Sequence, residues 1–129
     1  MGEMDLSALR KALCSLDDIL AQPVNAYIRD GAIQRFEYTF ELAWKTMQRA
    51  LKLGGVDTGS ARQVFRAAFK AGYIDDVAAW MAFLVSRNLT SHTYNESTAN
   101  EVYASAARFP AVVRALIAKL EAEWGDNLA

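Results

Sequence analysis

The stretch Arg29-Asp30-Gly31-Ala32-Ile33-Gln34-Arg35-Phe36-Glu37-Tyr38-Thr39-Phe40-Glu41-Leu42-Ala43-Trp44-Lys45 decides the fold. Ile33, Phe36, Phe40 and Ala43, continued by Met47 and Leu51, recur at steps of three and four. That spacing gathers apolar side chains on one face of an α-helix. It predicts a long helix from Asn25 or Asp30 to Leu53. Beside the apolar stripe, Glu37, Glu41 and Lys45 follow at i, i+4 and i+8. As bare pattern they form a solvated face with a Glu41–Lys45 pair worth a few tenths of a kcal/mol.

Working outward, Leu6, Leu9, Leu13, Leu16 and Leu20 make the stripe of a first helix, which Gln22-Pro23-Val24-Asn25 ends. On the other side, Gly54-Gly55-Val56-Asp57-Thr58-Gly59 reads as a connector. It lacks the Lys-Ser/Thr ending and the preceding strand of a phosphate-binding loop. Ser60 can cap a shorter helix through Ala71 that Gly72 stops. Asp75 or Asp76 caps a fourth helix with Val77, Trp80, Met81 and Leu84 on its apolar side. A last helix starts near Ser97 or Thr98, where Glu101 would close a capping box with Thr98. Its stripe of Val102, Ala106, Phe109, Val113, Leu116 and Leu120 stays in phase across Pro110, which predicts a kink rather than an end. No stretch alternates with period two. The expected fold is all-α: an antiparallel up-and-down helical bundle of four long helices plus one short helix, a single domain over residues 1–129.

Composition bounds the function. A hydrophobic fraction of 53% argues against disorder. A formal net charge of −1 gives no global field that would gather nucleic acid, so any RNA contact needs a local patch. Arg62, Arg66 and Lys70 share one face of the third helix and form the concentrated positive stripe, which reads either as a plain exposed face or as a contact for phosphates or acidic partners. Cys14 is the single cysteine, so no intrachain disulfide forms and a reducing cytoplasm is the expected setting. One cysteine and one histidine do not make a dedicated zinc site within one chain. Val77 to Ser86, the longest uncharged apolar run, is about half a membrane crossing. The N-terminal residues show no basic segment followed by an apolar one, so neither membrane nor export is expected.

The chemistry-bearing segment is Arg87-Asn88-Leu89-Thr90-Ser91-His92-Thr93-Tyr94, which holds the single histidine. Histidine is the side chain that moves protons near neutral pH, and arginine is the one that grips a phosphoryl group bidentately. On an ideal helix a separation of five leaves Arg87 and His92 about 140° apart. They converge best if the helix frays near Thr90 or Ser91 and leaves His92 at its C-terminal end. An ordinary helix end capped by a histidine fits the same pattern.

Arg87-x4-His92-x-Tyr94 resembles the Arg-x4-His-x-Tyr motif of the HEPN superfamily, helical bundles that accompany nucleotidyltransferases. With the stretch Arg29 to Lys45, and with Ile74-Asp75-Asp76 and Trp80 ahead of Arg87, the chain resembles the nucleotidyltransferase substrate-binding protein family over most of its length. The resemblance implies a homodimer that assembles with a minimal nucleotidyltransferase, in a toxin–antitoxin-type pair. It implies a metal-independent endoribonuclease in which Arg87 and His92 from two protomers meet across the dimer cleft, and a Tyr94 that the partner modifies with AMP. Asn88, Ser91, Glu41, Lys45 and Arg35 become candidates for binding substrate, an RNA or a nucleotide. No cofactor and no metal are implied. The alternative is a non-catalytic subunit that binds substrate for its partner. No nucleotidyltransferase motif occurs in the chain, so it is not itself that enzyme.

Overall fold

The computed structural model describes residues 4–125. Residues 1–3 and 126–129, the ends of the span read above as one domain, lie outside the described residues. The chain forms α1 (Ser7–Leu20), α2 (Ala26–Leu53), α3 (Ala61–Ala71), α4 (Val77–Asn88), a 3-10 turn (Leu89–His92) and α5 (Glu96–Trp124). Among the described residues there is no β-strand. The helical bundle that the periodicity predicts is what folds.

Helix ends follow local chemistry. The Asn25 side chain accepts from the backbone N–H of Ile28 at 2.9 Å, which settles the start of α2 at Ala26 rather than near Asp30. Ser60 accepts from Gln63 N–H at 3.2 Å while Gln63 Oε1 accepts from Ser60 N–H at 3.3 Å, a reciprocal capping box. Gly72, at φ 85°, supplies the left-handed residue that closes α3. Asp76, not Asp75, caps α4 through Ala79 N–H at 3.0 Å. The start of α5 departs from expectation. Asn95 caps it, accepting from Thr98 N–H at 3.1 Å, so Thr98 is a donor inside the first turn and not the cap. Asn95 wins because its backbone is extended and its short side chain reaches the third N–H, while Glu96 then meets the positive end of the helix. Pro110 lies buried within α5, and the helix runs through it.

α2 is the axis of the bundle, packing on α1, α3, α4 and α5. Gly31 permits the closest approach of α1: a Cβ there would stand 2.5 Å from Ile19 Cδ1. On the opposite side Phe36 and Phe40 of α2, Phe65 of α3, Trp80 and Phe83 of α4 and Phe109 of α5 form one aromatic cluster. Phe109 sits edge-on to Phe83 at 4.9 Å and to Phe36 at 5.2 Å between ring centroids. Such tilted and edge-on pairs add about 0.5–1.5 kcal/mol each beyond the area they bury. This cluster fixes α4 against α2, and so fixes whatever α4 carries at its C-terminal end.

Candidate functional site

Arg87 continues the buried stripe of α4. It stands seven residues after Trp80 and four after Phe83, both buried, so it faces the same neighbour they do. That neighbour is α2, where Glu37 and Glu41 each follow a buried phenylalanine by one residue. Packing the aromatic stripes together therefore brings an arginine onto two carboxylates. Arg87 Nε donates to Glu41 Oε1 at 2.7 Å, and its Nη2 lies 3.8 Å from Glu37 Oε2. The second oxygen of Glu41 accepts from Trp44 Nε1 at 3.2 Å. Arg87 and Glu41 are about two-thirds buried, at 32% and 30% side-chain exposure, so this contact is partly shielded from water.

The motif then tightens. α4 gives way to the 3-10 turn at Leu89, slightly earlier than the fraying expected at Thr90 or Ser91, and His92 is the last residue of that turn. Thr90 Oγ1 reaches both Glu37 Oε2 at 2.9 Å and the Arg87 carbonyl at 2.8 Å. Thr93 Oγ1 donates to the Thr90 carbonyl at 3.2 Å, and Asn95 N–H to the His92 carbonyl at 3.2 Å. These bonds hold the segment between α4 and α5. His92 and Tyr94 project from it with ring centroids 6.0 Å apart, Tyr94 being 84% exposed. Asn88 and Ser91 are exposed on the same segment.

Two expected site residues lie elsewhere. Arg35 faces α1: its Nε donates to Ser15 Oγ at 3.0 Å and its Nη1 to the Gly31 carbonyl at 3.1 Å, so it is not brought to Arg87. Lys45 makes no ion pair with Glu41. Arg87 occupies Glu41 instead, because the rigid guanidinium fork comes in from a packed helix, while the Lys45 ammonium lies 5.9 Å from the centre of the Trp44 ring. The sequence reading grouped Glu37 with Glu41 and Lys45 without pairing it to the motif, and it overlooked Thr90 as a partner in the site. Their signals were the i−4 spacing of Glu37 from Glu41 and the i+3 spacing of Thr90 from Arg87.

The arrangement offers a pre-oriented arginine. Its Nε side is held by Glu41, while its Nη1 makes no hydrogen bond among the described residues and remains a donor for a ligand oxygen. An arginine already ordered by its own protein loses less side-chain freedom on meeting a phosphate.

An all-helical bundle whose fourth helix ends in Arg-x4-His-x-Tyr is a HEPN-type domain. The family described as nucleotidyltransferase substrate binding protein like matches residues 4–122, and the chain belongs to that family. A Haemophilus influenzae protein named probable ribonuclease HepT is 39% identical over 79 residues, covering 57% of this chain and 54% of that protein. The chain thus matches about half the length of this curated relative. A crystal structure of a Thermus thermophilus protein aligns over 87% of this chain and 98% of its own, at 31% identity and a TM-score of 0.81. A Haemophilus influenzae structure, described as revealing the fold of a substrate-binding domain of a nucleotidyltransferase, aligns over 90% and 98% at 32% identity and 0.82. Among the described residues no helix is long and apolar enough to cross a membrane.

Proposed function

We propose that this chain is the ribonuclease subunit of a pair, cutting RNA without metal through Arg87 and His92 and restrained by a minimal nucleotidyltransferase. The observation that carries the reading is the Arg87 guanidinium, held at 2.7 Å by Glu41 on the same short segment that exposes His92 and Tyr94. The ribonuclease name of the Haemophilus relative supports it.

The reaction is a transesterification within the RNA. The ribose 2′-oxygen attacks the adjacent phosphorus, the bond from phosphorus to the 5′-oxygen breaks, and a 2′,3′-cyclic phosphate and a 5′-hydroxyl result. One proton leaves the 2′-hydroxyl and one reaches the departing oxygen. A neutral His92 serves the first transfer and a protonated one the second. A homodimer would supply both across its cleft, with Arg87 stabilising the charge that builds on the phosphoryl oxygens. Tyr94, exposed to solvent, is the group that the partner would convert to an AMP ester: the phenolic oxygen attacks the α-phosphorus of ATP, pyrophosphate leaves and the phenolic proton is lost, blocking the segment.

Induced expression of the chain alone tests this. Growth arrest and RNA fragmentation are expected, and Arg87→Ala or His92→Ala should lower cleavage by about 10²-fold or more with helicity and size unchanged. A folded variant that still cuts RNA removes these roles. Co-expression with the partner should add the mass of AMP at Tyr94, and none in Tyr94→Phe. Modification that persists in that variant takes Tyr94 out of the scheme.

A second reading has its own support. Glu37 and Glu41 together outweigh the single charge of Arg87, and the isoelectric point is about 5.8. A subunit that binds substrate for its partner needs no stronger positive field. Healthy growth with intact RNA on induction selects this reading.

A further inference from the structure

A cavity of about 860 Å³ lies between the C-terminal part of α2 and the connector to α3. Lys45, Arg49 and Lys52 line it, at i, i+4 and i+7 on one face of α2. Elsewhere Arg10, Arg29, Arg87, Arg114 and Lys119 each meet a carboxylate within 4.0 Å, while Lys11, Arg35, Arg62, Arg66, Lys70 and Arg108 do not among the described residues, and none of these six lines the cavity. Lys45, Arg49 and Lys52 meet none among the described residues. The opposite wall is the connector, tied to α2 by Gln48 Nε2 donating to the Thr58 carbonyl at 2.9 Å. Thr58 also lines the cavity, but its hydroxyl oxygen is closed off from solvent and turned away from any ligand held there. Asp57 is the single carboxylate of the lining, against three cations.

We propose that this cavity binds the phosphates of a nucleotide, either a free nucleotide or a nucleotide of an RNA chain. Three unpaired ammonium and guanidinium groups on one face of α2 match a multiply charged oxyanion better than a single carboxylate. Asp57 adds an acceptor for a ribose hydroxyl or a base amino group, which inorganic phosphate lacks. The volume suits a ligand of nucleotide size. Arg49 lies eight residues from Glu41 along α2, about 12 Å at 1.5 Å per residue, so an RNA chain held here can extend toward Arg87 and His92. That extension rests on the ribonuclease reading; the nucleotide pocket itself does not.

Calorimetric titration of the full chain carrying His92→Ala, with EDTA present, tests the pocket. The probes are pyrophosphate, ATP and a single-stranded RNA octamer without terminal phosphates. Arg49→Ala and Lys52→Ala should each weaken binding at least fivefold. Lys45→Ala should weaken it as well, and Arg66→Ala on α3 should change nothing. For RNA, the slope of log K against log salt should fall in magnitude by about 0.7 per cation removed. ATP that displaces RNA assigns both to one pocket, and RNA binding without ATP binding assigns the cavity to the chain backbone alone. No binding of any probe overturns the proposal. So does an Arg66→Ala loss as large as that of Arg49→Ala, because the attraction is then a diffuse field. Binding retained by a chain that never cuts RNA leaves the pocket standing and removes only the ribonuclease reading.

Discussion

The polar stripe of α2 has two ends that behave differently. At Glu37 and Glu41 the charges are consumed inside the protein, on Arg87, Thr90 and Trp44. At Lys45, Arg49 and Lys52 they meet no carboxylate and face an open cavity. The residues change sign once along one helix and belong to one sequence pattern, but packing gives them opposite tasks. The acidic end abuts α4, and desolvation there makes an unpartnered carboxylate or guanidinium costly, so each finds the other. The basic end abuts a connector that supplies one carboxylate, so its charge stays available. A polar group satisfied by its own fold orients something; a polar group left over recruits something.

The largest effect comes from removing the frame common to both ends. Phe109 packs on Phe36, Phe40, Trp80 and Phe83. Phe109→Ala should cost about 3–5 kcal/mol in urea unfolding and disturb the Arg87 segment and the basic cavity together. Loss of under about 1 kcal/mol, well below the usual cost of such a truncation, would mean that the aromatic cluster does not hold α4 in place.

A smaller effect separates the ends. Glu41→Ala leaves the partly buried Arg87 without its 2.7 Å acceptor and should cost about 1–2 kcal/mol, the value of a charged hydrogen bond discounted for exposure. Arg49→Ala breaks no contact of that kind and should stay within about 0.5 kcal/mol of the parent. Equal losses in chemical denaturation would erase the distinction. A double-mutant cycle of Glu41→Ala with Arg87→Ala sharpens it, since the coupling should account for most of the single-variant loss.

The same contrast explains what the sequence disclosed. Helix existence, the cap at Ser60 and the stop at Gly72 depend on residues within four positions of one another, so local chemistry decides them. Four members of the aromatic core, Phe36, Phe40, Trp80 and Phe109, were legible for the same reason, as stripes of fixed period. Phe65 and Phe83 were not: the expected stripe of the fourth helix holds Val77, Met81 and Leu84 beside Trp80. The site was legible as a motif but not as a set of contacts. Arg87 meets Glu41 across 46 positions and Thr90 meets Glu37 across 53, and no local spacing predicts which neighbour wins. The expected Glu41–Lys45 pair failed on this point, a weak local attraction losing to an arginine delivered by packing. Arg35 failed likewise, because Ser15 on α1 lies nearer than the motif. Read afterwards, an arginine continuing the period of Trp80 and Phe83 was the signal that the core face of α4 ends in something charged.

The smallest effect asks whether Arg49 is as uncommitted as its end of the stripe requires. Asp5, just ahead of α1, accepts from the Ser7 hydroxyl at 2.6 Å and from the Ser7 N–H at 2.9 Å. The hydroxyl bond first and the backbone bond second hold its carboxyl below the usual aspartate value, and the charge of Arg49 contributes least. A carboxyl whose folded value is depressed adds stability that is present above its unfolded pKa and lost as pH falls through the folded one. Its effect is therefore confined to the acid side of the ordinary aspartate range, and Asp5→Asn should flatten that limb alone. In an NMR titration of the Asp5 carboxyl, Ser7→Ala should return the midpoint most of the way to the ordinary value, and Arg49→Ala should move it less. A larger shift from Arg49→Ala would show that its charge is already spent on the start of α1. The two ends of the stripe would then differ less than the ion pairs imply, and the cavity would be left with two free cations instead of three.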